Sequence, residues 1–280
     1  MIKQKKKNNI KTIDKNIVTI MMDSEFEADN ISIAGSSIMG TRQYQQDYIL
    51  SGAEAGSIIA VLCDGMGGLN GGEVASKHAA ESLMEDFKEW KPVENIQNFL
   101  RYEAKKLDNE VLSLKDERGD FLYAGTTIVS IIISSDILHW LSVGDSKIYI
   151  MRNDEILCVT REHNYRMTLD ELLENGNINQ EQYKKEEPRA EALISYLGMG
   201  NIIHMDINTS PFKLISGDKI LLCSDGLYKS LSEQQIFEII KSHNESIEQT
   251  AHLLTSYAFG MSEGSQDNTT VILVEYGGNK

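Results

Sequence analysis

Four aspartates stand where apolar runs stop. Asp64 in "IIAVLCDGMGG", Asp145 in "LHWLSVGDSK" and Asp225 in "DKILLCSDGL" each follow such a run, and Asp267 in "GSQDNTTVILV" precedes one. A single Asp in that position is ordinarily a turn former or a helix N-cap. Four of them buried together at strand ends would repel one another. A hard divalent cation removes that cost, because it takes carboxylate oxygens as ligands. Two adjacent ions can share one bridging carboxylate. A glycine directly after the aspartate, as in Asp64-Gly65 and Asp225-Gly226, lets the backbone approach closely enough for a carbonyl oxygen to join them. Upstream, "MGTRQYQQDY" sets Arg42 close to Asp47. Asp47 would complete the cluster, and an arginine can bind a phosphate bidentately.

The glycines after Asp64 raise a second reading, a loop that cradles phosphate. Walker A chemistry needs GxxxxGK[ST], and "DGMGGLNGGE" supplies no such lysine; the dinucleotide pattern GxGxxG is matched only loosely by "GMGGLNG". The glycines fit better as clearance around Asp64.

Strands must place these groups. Apolar runs predict strands over 32–38, 57–63, 126–133, 137–143, 147–152, 155–159, 219–223 and 269–275, mostly joined by short turns as in an antiparallel body. Apolar residues at helical spacing predict long helices over 72–90 and 93–114, and further helical stripes at Ile236, Ile239 and Ile240 and at Ile247, Ala251, Leu254 and Ala258. Residues 164–189 are polar with short helical signals and read as a surface insert or flap, either an elaboration or a lid. With three prolines, no linker and no repeat, the chain reads as one α+β domain.

The formal charge is −15, yet residues 3–15 hold six lysines against one acid, leaving about −20 elsewhere. The acidic body and the lack of an aromatic, basic groove argue against nucleic acid and suit a protein that gathers carboxylates around cations. Cys63, Cys158 and Cys223 lack zinc-site spacing and read as reduced, buried thiols. No window is long enough to span a membrane, and the early apolar run 17–22 is too short for a signal peptide, so a cytoplasmic location is expected. The lysine tail reads as a solubilising extension, with an anionic surface or acidic partner as the alternative.

In order along the chain, "GTRQYQQD", "VLCDGMGG" with "GGEVAS", "AGTT", "SVGDSKIY", "TREH", "LISYLGMG", "LLCSDGL" and "SQDNTT" resemble the metal-dependent protein phosphatases of the PPM (PP2C) family, bacterial type. The resemblance implies a β-sandwich of two antiparallel sheets flanked by helix pairs, four layers αββα, over residues 31–277, with 1–30 as a basic, partly disordered extension and 164–190 as the variable flap. It implies two Mn²⁺ or Mg²⁺ ions: Asp64 bridges them, the Gly65 carbonyl binds one, Asp225 and Asp267 bind the other, and Asp47 helps hold them. Asp145 with Asp225 matches a third, weaker ion position. Asp64, Asp225 and Arg42 would be the catalytic set, with Arg42 on the phosphate.

The expected chemistry is hydrolysis of phosphoserine or phosphothreonine in proteins by a hydroxide bridging the two ions, with no phosphoenzyme. The partners expected are targets of a bacterial-type Ser/Thr kinase, and the protein is expected to act as a monomer. Two alternatives stay open: a catalytically weak regulator that keeps the fold, and a two-metal hydrolase of small phosphoesters. Met66 stands where many eukaryotic members carry a histidine that protonates the leaving group, and Gln46 where many have Glu. Of the histidines, His163 in "TREH" is a candidate acid but more ordinarily a hydrogen-bonding group. His78 reads as a helix-face residue and His139 as structural.

Overall fold

The computed structural model describes residues 10–14, 17–20, 31–67, 71–90, 95–242, 246–262 and 264–278. The basic extension expected over 1–30 falls largely outside these; within it, β1 (Ile10–Asp14) and β2 (Ile17–Ile20) pair antiparallel. Residues 68–70 of the glycine-rich stretch also lie outside.

Two antiparallel sheets form the centre. In chain order the further strands are β3 (Ile31–Ile38), β4 (Asp47–Glu54), β5 (Ser57–Met66), β6 (Gly125–Thr126), β7 (Ile128–Ser134), β8 (Ile137–Val143), β9 (Lys147–Arg152), β10 (Glu155–Cys158), β11 (Asp206–Ile207), β12 (Phe212–Lys213), β13 (Asp218–Cys223) and β14 (Thr269–Tyr276). One sheet runs β10-β9-β13-β14-β3; the other runs β11-β8-β7-β5-β4, with β12 also on β8 and β6 on β5. The helices are α1 (Gly71–Glu89), α2 (Ile96–Leu112), α3 (Tyr165–Glu174), α4 (Gln180–Glu186), α5 (Asp225–Tyr228), α6 (Glu233–Ser242) and α7 (Ile247–Met261).

The run "SIIAVLC" of β5 is apolar throughout because both of its faces are covered. Ile59, Val61 and Cys63 turn toward Ala75, Ala79, Leu83 and Phe87 of α1 and Leu100, Ala104 and Leu107 of α2. Their neighbours Ile58, Ala60 and Leu62 turn toward Ile148, Ile150, Ile220, Leu222, Ile272 and Val274 of the other sheet. That sheet's outer face, with Tyr149, Leu221 and Leu273, packs on Ile236, Ile240, Ala251, Leu254 and Ala258 of α6 and α7. The four layers αββα follow from three apolar interfaces. Each fully buried Ile or Leu in them contributes roughly 1.5–3 kcal/mol.

Two details differ from the sequence reading. Residues Asp47–Glu54 form a strand, β4, that alternation did not predict; it begins with a charge and holds Ser51 and Gly52, yet it pairs with β5 along its whole length. Cys63 and Cys223 are buried, but Cys158 is only partly so, because β10 is the edge strand of its sheet. The insert 164–189 has the short helices its signals indicated: α3 and α4 lie within it, and Asn179 with Gln182 closes a capping box on α4.

His163 is fully buried, accepts the Gly144 N–H on Nδ1 at 3.1 Å and places Nε2 3.5 Å from Asp206 Oδ2. Asp206 also accepts Arg161 through its backbone N–H at 2.8 Å and its guanidinium. Burial would raise Asp206, but hydrogen bonds from His163 and Arg161 outweigh it and hold the carboxyl far below its ordinary 3.8. The stabilisation is therefore present above about pH 4 and fades as the pH falls through the lower folded value. Asp206→Asn is expected to cost about 1–3 kcal/mol at pH 7 in urea unfolding. The gap from wild type should narrow at pH 3; an equal gap at both would refute the assignment.

Candidate active site

The aspartates meet at one edge of the sandwich. Asp47, the first residue of β4, lies directly across from Asp64 near the end of β5. Asp145 sits in the turn between β8 and β9, Asp225 opens α5 just after β13, and Asp267 lies two residues before β14. The five come from separate strand ends, brought together only because both sheets end at the same edge.

Buried hydrogen bonds fix these ends. The Asp64 N–H donates to Thr127 Oγ1 at 3.1 Å, and Thr127 Oγ1 lies 2.8 Å from Ser146 Oγ. Gly144, at φ +108°, clears Thr127, since a Cβ there would lie 2.6 Å from Thr127 Cγ2. Tyr228 donates its hydroxyl to the Asp145 carbonyl at 3.1 Å, and its ring carries the Lys147 ammonium 3.8 Å from the centroid. Ser224 Oγ donates to Asp47 Oδ2 at 2.9 Å.

The loop that carries Arg42 is tied to the far end of the chain. Thr41 N–H donates to the Gln266 carbonyl at 2.8 Å. Asn268 gives its amide hydrogens to the Met39 and Tyr44 carbonyls at 2.9 and 3.0 Å and accepts the Gln46 N–H at 2.9 Å. Gly65 donates to the Gln46 carbonyl at 3.0 Å. Here glycine is obligatory, because a Cβ on Gly65 would lie 2.1 Å from the Gly72 carbonyl oxygen.

Electrostatics mark the cluster. Burial, then Asp47, Asp225, Asp145 and Asp267 in turn, push Asp64 well above the carboxylate range. Burial and Asp225 also raise Asp47 to about 7 and Asp145 to about 6. Asp47 Oδ1 is buried without a hydrogen-bond partner. Two cations answer part of this charge: Arg42 donates to Asp267 Oδ2 at 2.5 Å and Lys229 to Asp225 Oδ2 at 2.6 Å. As arranged, no three acidic, His or Cys side chains among the described residues already form a group that could hold a metal ion. The donor set nonetheless suits one: oxygen-only, mutually repelling, with an orphaned buried oxygen.

A family model for protein phosphatase 2C matches residues 34–263. The chain belongs to the protein phosphatase 2C family. Among curated relatives, the serine/threonine phosphatase stp of Listeria welshimeri is 32% identical over 78% of this chain and 84% of its own. PhpP of Streptococcus pneumoniae is 29% identical over 83% and 92%. The solved serine/threonine phosphatase of S. agalactiae superposes with a TM-score of 0.75 at 27% identity, covering 88% of this chain and 99% of that one. The PstP catalytic domain solved with two manganese ions gives 0.70 at 25% identity, covering 88% and 97%.

Within this phosphatase fold the structure gathers Asp47, Asp64, Asp145, Asp225 and Asp267 with Arg42 and Gly65. His163 is buried, with Nδ1 on the Gly144 N–H and Nε2 3.5 Å from Asp206 Oδ2. His78 pairs with Glu110 between α1 and α2, and His139 lies in β8. Sequence reasoning missed Lys229 and Asn268. Lys229 stands four residues after Asp225, the spacing that puts both on one helix face, and that signal was there to be seen.

Proposed function

We propose that the protein is a metal-dependent phosphatase of phosphoserine and phosphothreonine in proteins. The observation that carries this is the five-carboxylate edge, with Arg42 beside it, in a phosphatase-family chain. Asp64, Asp225, Asp267, Asp47 and the Gly65 carbonyl would hold two Mn²⁺ or Mg²⁺ ions. When bound, such ions activate water and polarise phosphoryl oxygens.

The chain's own residues do the rest. Arg42 leaves Asp267 to grip the phosphate and offset its charge. Asn268 and Thr41 keep that arginine's loop at the correct height over β5. Met66 carries no proton to give, so the leaving alkoxide must take its proton from solvent or a group other than this side chain. Substrates would be targets of a bacterial-type Ser/Thr kinase, acted on by a monomer in the cytoplasm. No helix among the described residues is long and apolar enough to cross a membrane.

Phosphate release from a phosphothreonine peptide should require Mn²⁺ and fall at least about a hundredfold in Asp225→Ala. Undiminished activity in EDTA would refute the reading.

Lys229 favours two ions over three. Burial pulls its ammonium down, but Asp225 and Asp145 together hold it above its ordinary value, and its hydrogen bond to Asp225 Oδ2 at 2.6 Å would compete with a further cation on that carboxylate. Calorimetric titration with Mn²⁺ is expected to saturate at two ions. In Lys229→Ala a third, weaker event should appear, or the affinity should rise roughly tenfold; an unchanged isotherm would count against this role.

A further inference from the structure

A cavity of about 650 Å³ opens one residue beyond Gly65. Met66 and Gly67 border it, Leu112, Phe121 and Tyr123 form one wall, and Tyr196 lies opposite in sequence terms, from the segment after the helical insert. Nothing in the phosphate chemistry uses these side chains. Leu112, Phe121 and Tyr123 are nonetheless among the few large apolar residues that face solvent, Tyr123 at 90% exposure. Three such residues grouped on one wall mark a contact surface more than chance exposure does.

The wall is built to hold its shape. Tyr123 adopts φ +46°, a left-handed conformation uncommon for a non-glycine residue. The Phe121 and Tyr123 rings lie 6.3 Å apart, and Lys115 covers Phe121 at 4.9 Å from its centroid. On the other side, Asp108 Oδ1 accepts the N–H groups of Gly198 and Gly200 at 2.8 and 3.0 Å. Leu197 and Thr126 exchange backbone hydrogen bonds at 2.9 and 3.1 Å. The Tyr196 ring lies over Gly125, where a Cβ would be 2.6 Å away.

The cavity begins on the strand that carries Asp64 and Gly65, at Met66. Gly125–Thr126 pairs in register with Met66 and Gly65, so the cavity's floor and the candidate ligand carbonyl share one strand. Met66, which lines the cavity, lies two residues after Asp64 on β5, at about 3.3 Å per extended residue. The cavity is therefore within a few substrate residues of a phosphate held beside Asp64. Its lining selects the chemistry: mostly aromatic and aliphatic, with Ser113 the one polar side chain outside those classes and Lys115 reaching only the Phe121 ring.

We infer that this cavity is a specificity subsite that takes an apolar side chain, aliphatic or aromatic, flanking the phosphorylated residue of the substrate protein. The inference rests on the phosphatase reading and deepens it.

The test uses the full chain with Mn²⁺ and two sets of phosphothreonine peptides, one with Leu at each of the two positions on either side of the phosphothreonine, the other with Gly there. Wild type should favour a Leu peptide by about tenfold in kcat/KM, mainly through KM. In Phe121→Ala/Tyr123→Ser, which alters two exposed side chains, the preference should fall to within about twofold, with the melting temperature within two degrees or so of wild type. Equal wild-type turnover of Leu and Gly peptides, or a preference that survives in the variant, would overturn the subsite while leaving the phosphatase reading intact. Turnover of neither peptide set by wild type would overturn both.

Discussion

Asp64→Asn is expected to lower Mn²⁺-dependent phosphate release from a phosphothreonine peptide by at least about a thousandfold, and at the same time to raise the melting temperature measured in EDTA. The two effects share one cause. Asp64 is the group on which burial and the charges of Asp47, Asp225, Asp145 and Asp267 all act, so without cations it is the most frustrated carboxylate of the cluster. An amide of the same shape relieves that repulsion. It also removes the charge that would hold two ions together, and Lewis-acid stabilisation of several kcal/mol corresponds to three or more decades in rate. Scanning with saturating Mn²⁺ completes the test: wild type should gain stability by linkage and the variant should not. A variant that keeps wild-type turnover, or melts lower than wild type in EDTA, would remove Asp64 from this role.

Gly65→Ala should be the most damaging small substitution at the site, costing roughly 3 kcal/mol or more in urea unfolding. The methyl would meet the Gly72 carbonyl oxygen at 2.1 Å and the Gln46 carbonyl at 2.7 Å, backbone atoms that cannot rotate away. Gly56→Ala supplies the comparison: its φ of +80° strains the backbone, but nothing lies within 4 Å of the added atom. It should lose only about 1 kcal/mol, the cost of left-handed geometry alone. Equal losses in the two would show that the close approach of β5 to α1 is softer than these distances imply.

Much of this was legible in the chain. Apolar runs located the central strands because burial on both faces leaves little room for polar residues, and the stripes in α1 and α7 located the outer layers. β4 escaped because its partner, not its own composition, makes it a strand: Asp47 and Glu54 at its ends read as loop until β5 lies beside them. The aspartates announced themselves by position after apolar runs, whereas Lys229, Asn268 and Tyr123 gave weaker signals. Lys229 shows only the four-residue spacing from Asp225, which many surface pairs share; Asn268 shows no local pattern, because its partner Tyr44 lies 224 residues earlier.

The clasp of Asn268 and Gln266 on the loop of Thr41, Tyr44 and Gln46 also sets a timetable. The loop that carries Arg42 is made first, and the residues that fasten it follow more than 220 positions later. Contacts so distant along the chain form late, after the entropy of closing a long loop has been met. Without residues 266–276 the sheet β10-β9-β13-β14-β3 is split at β14, and the loop that carries Arg42 loses its anchor. Until β14 has joined β3 and β13, neither Asp267 nor the anchor of the Arg42 loop is in place.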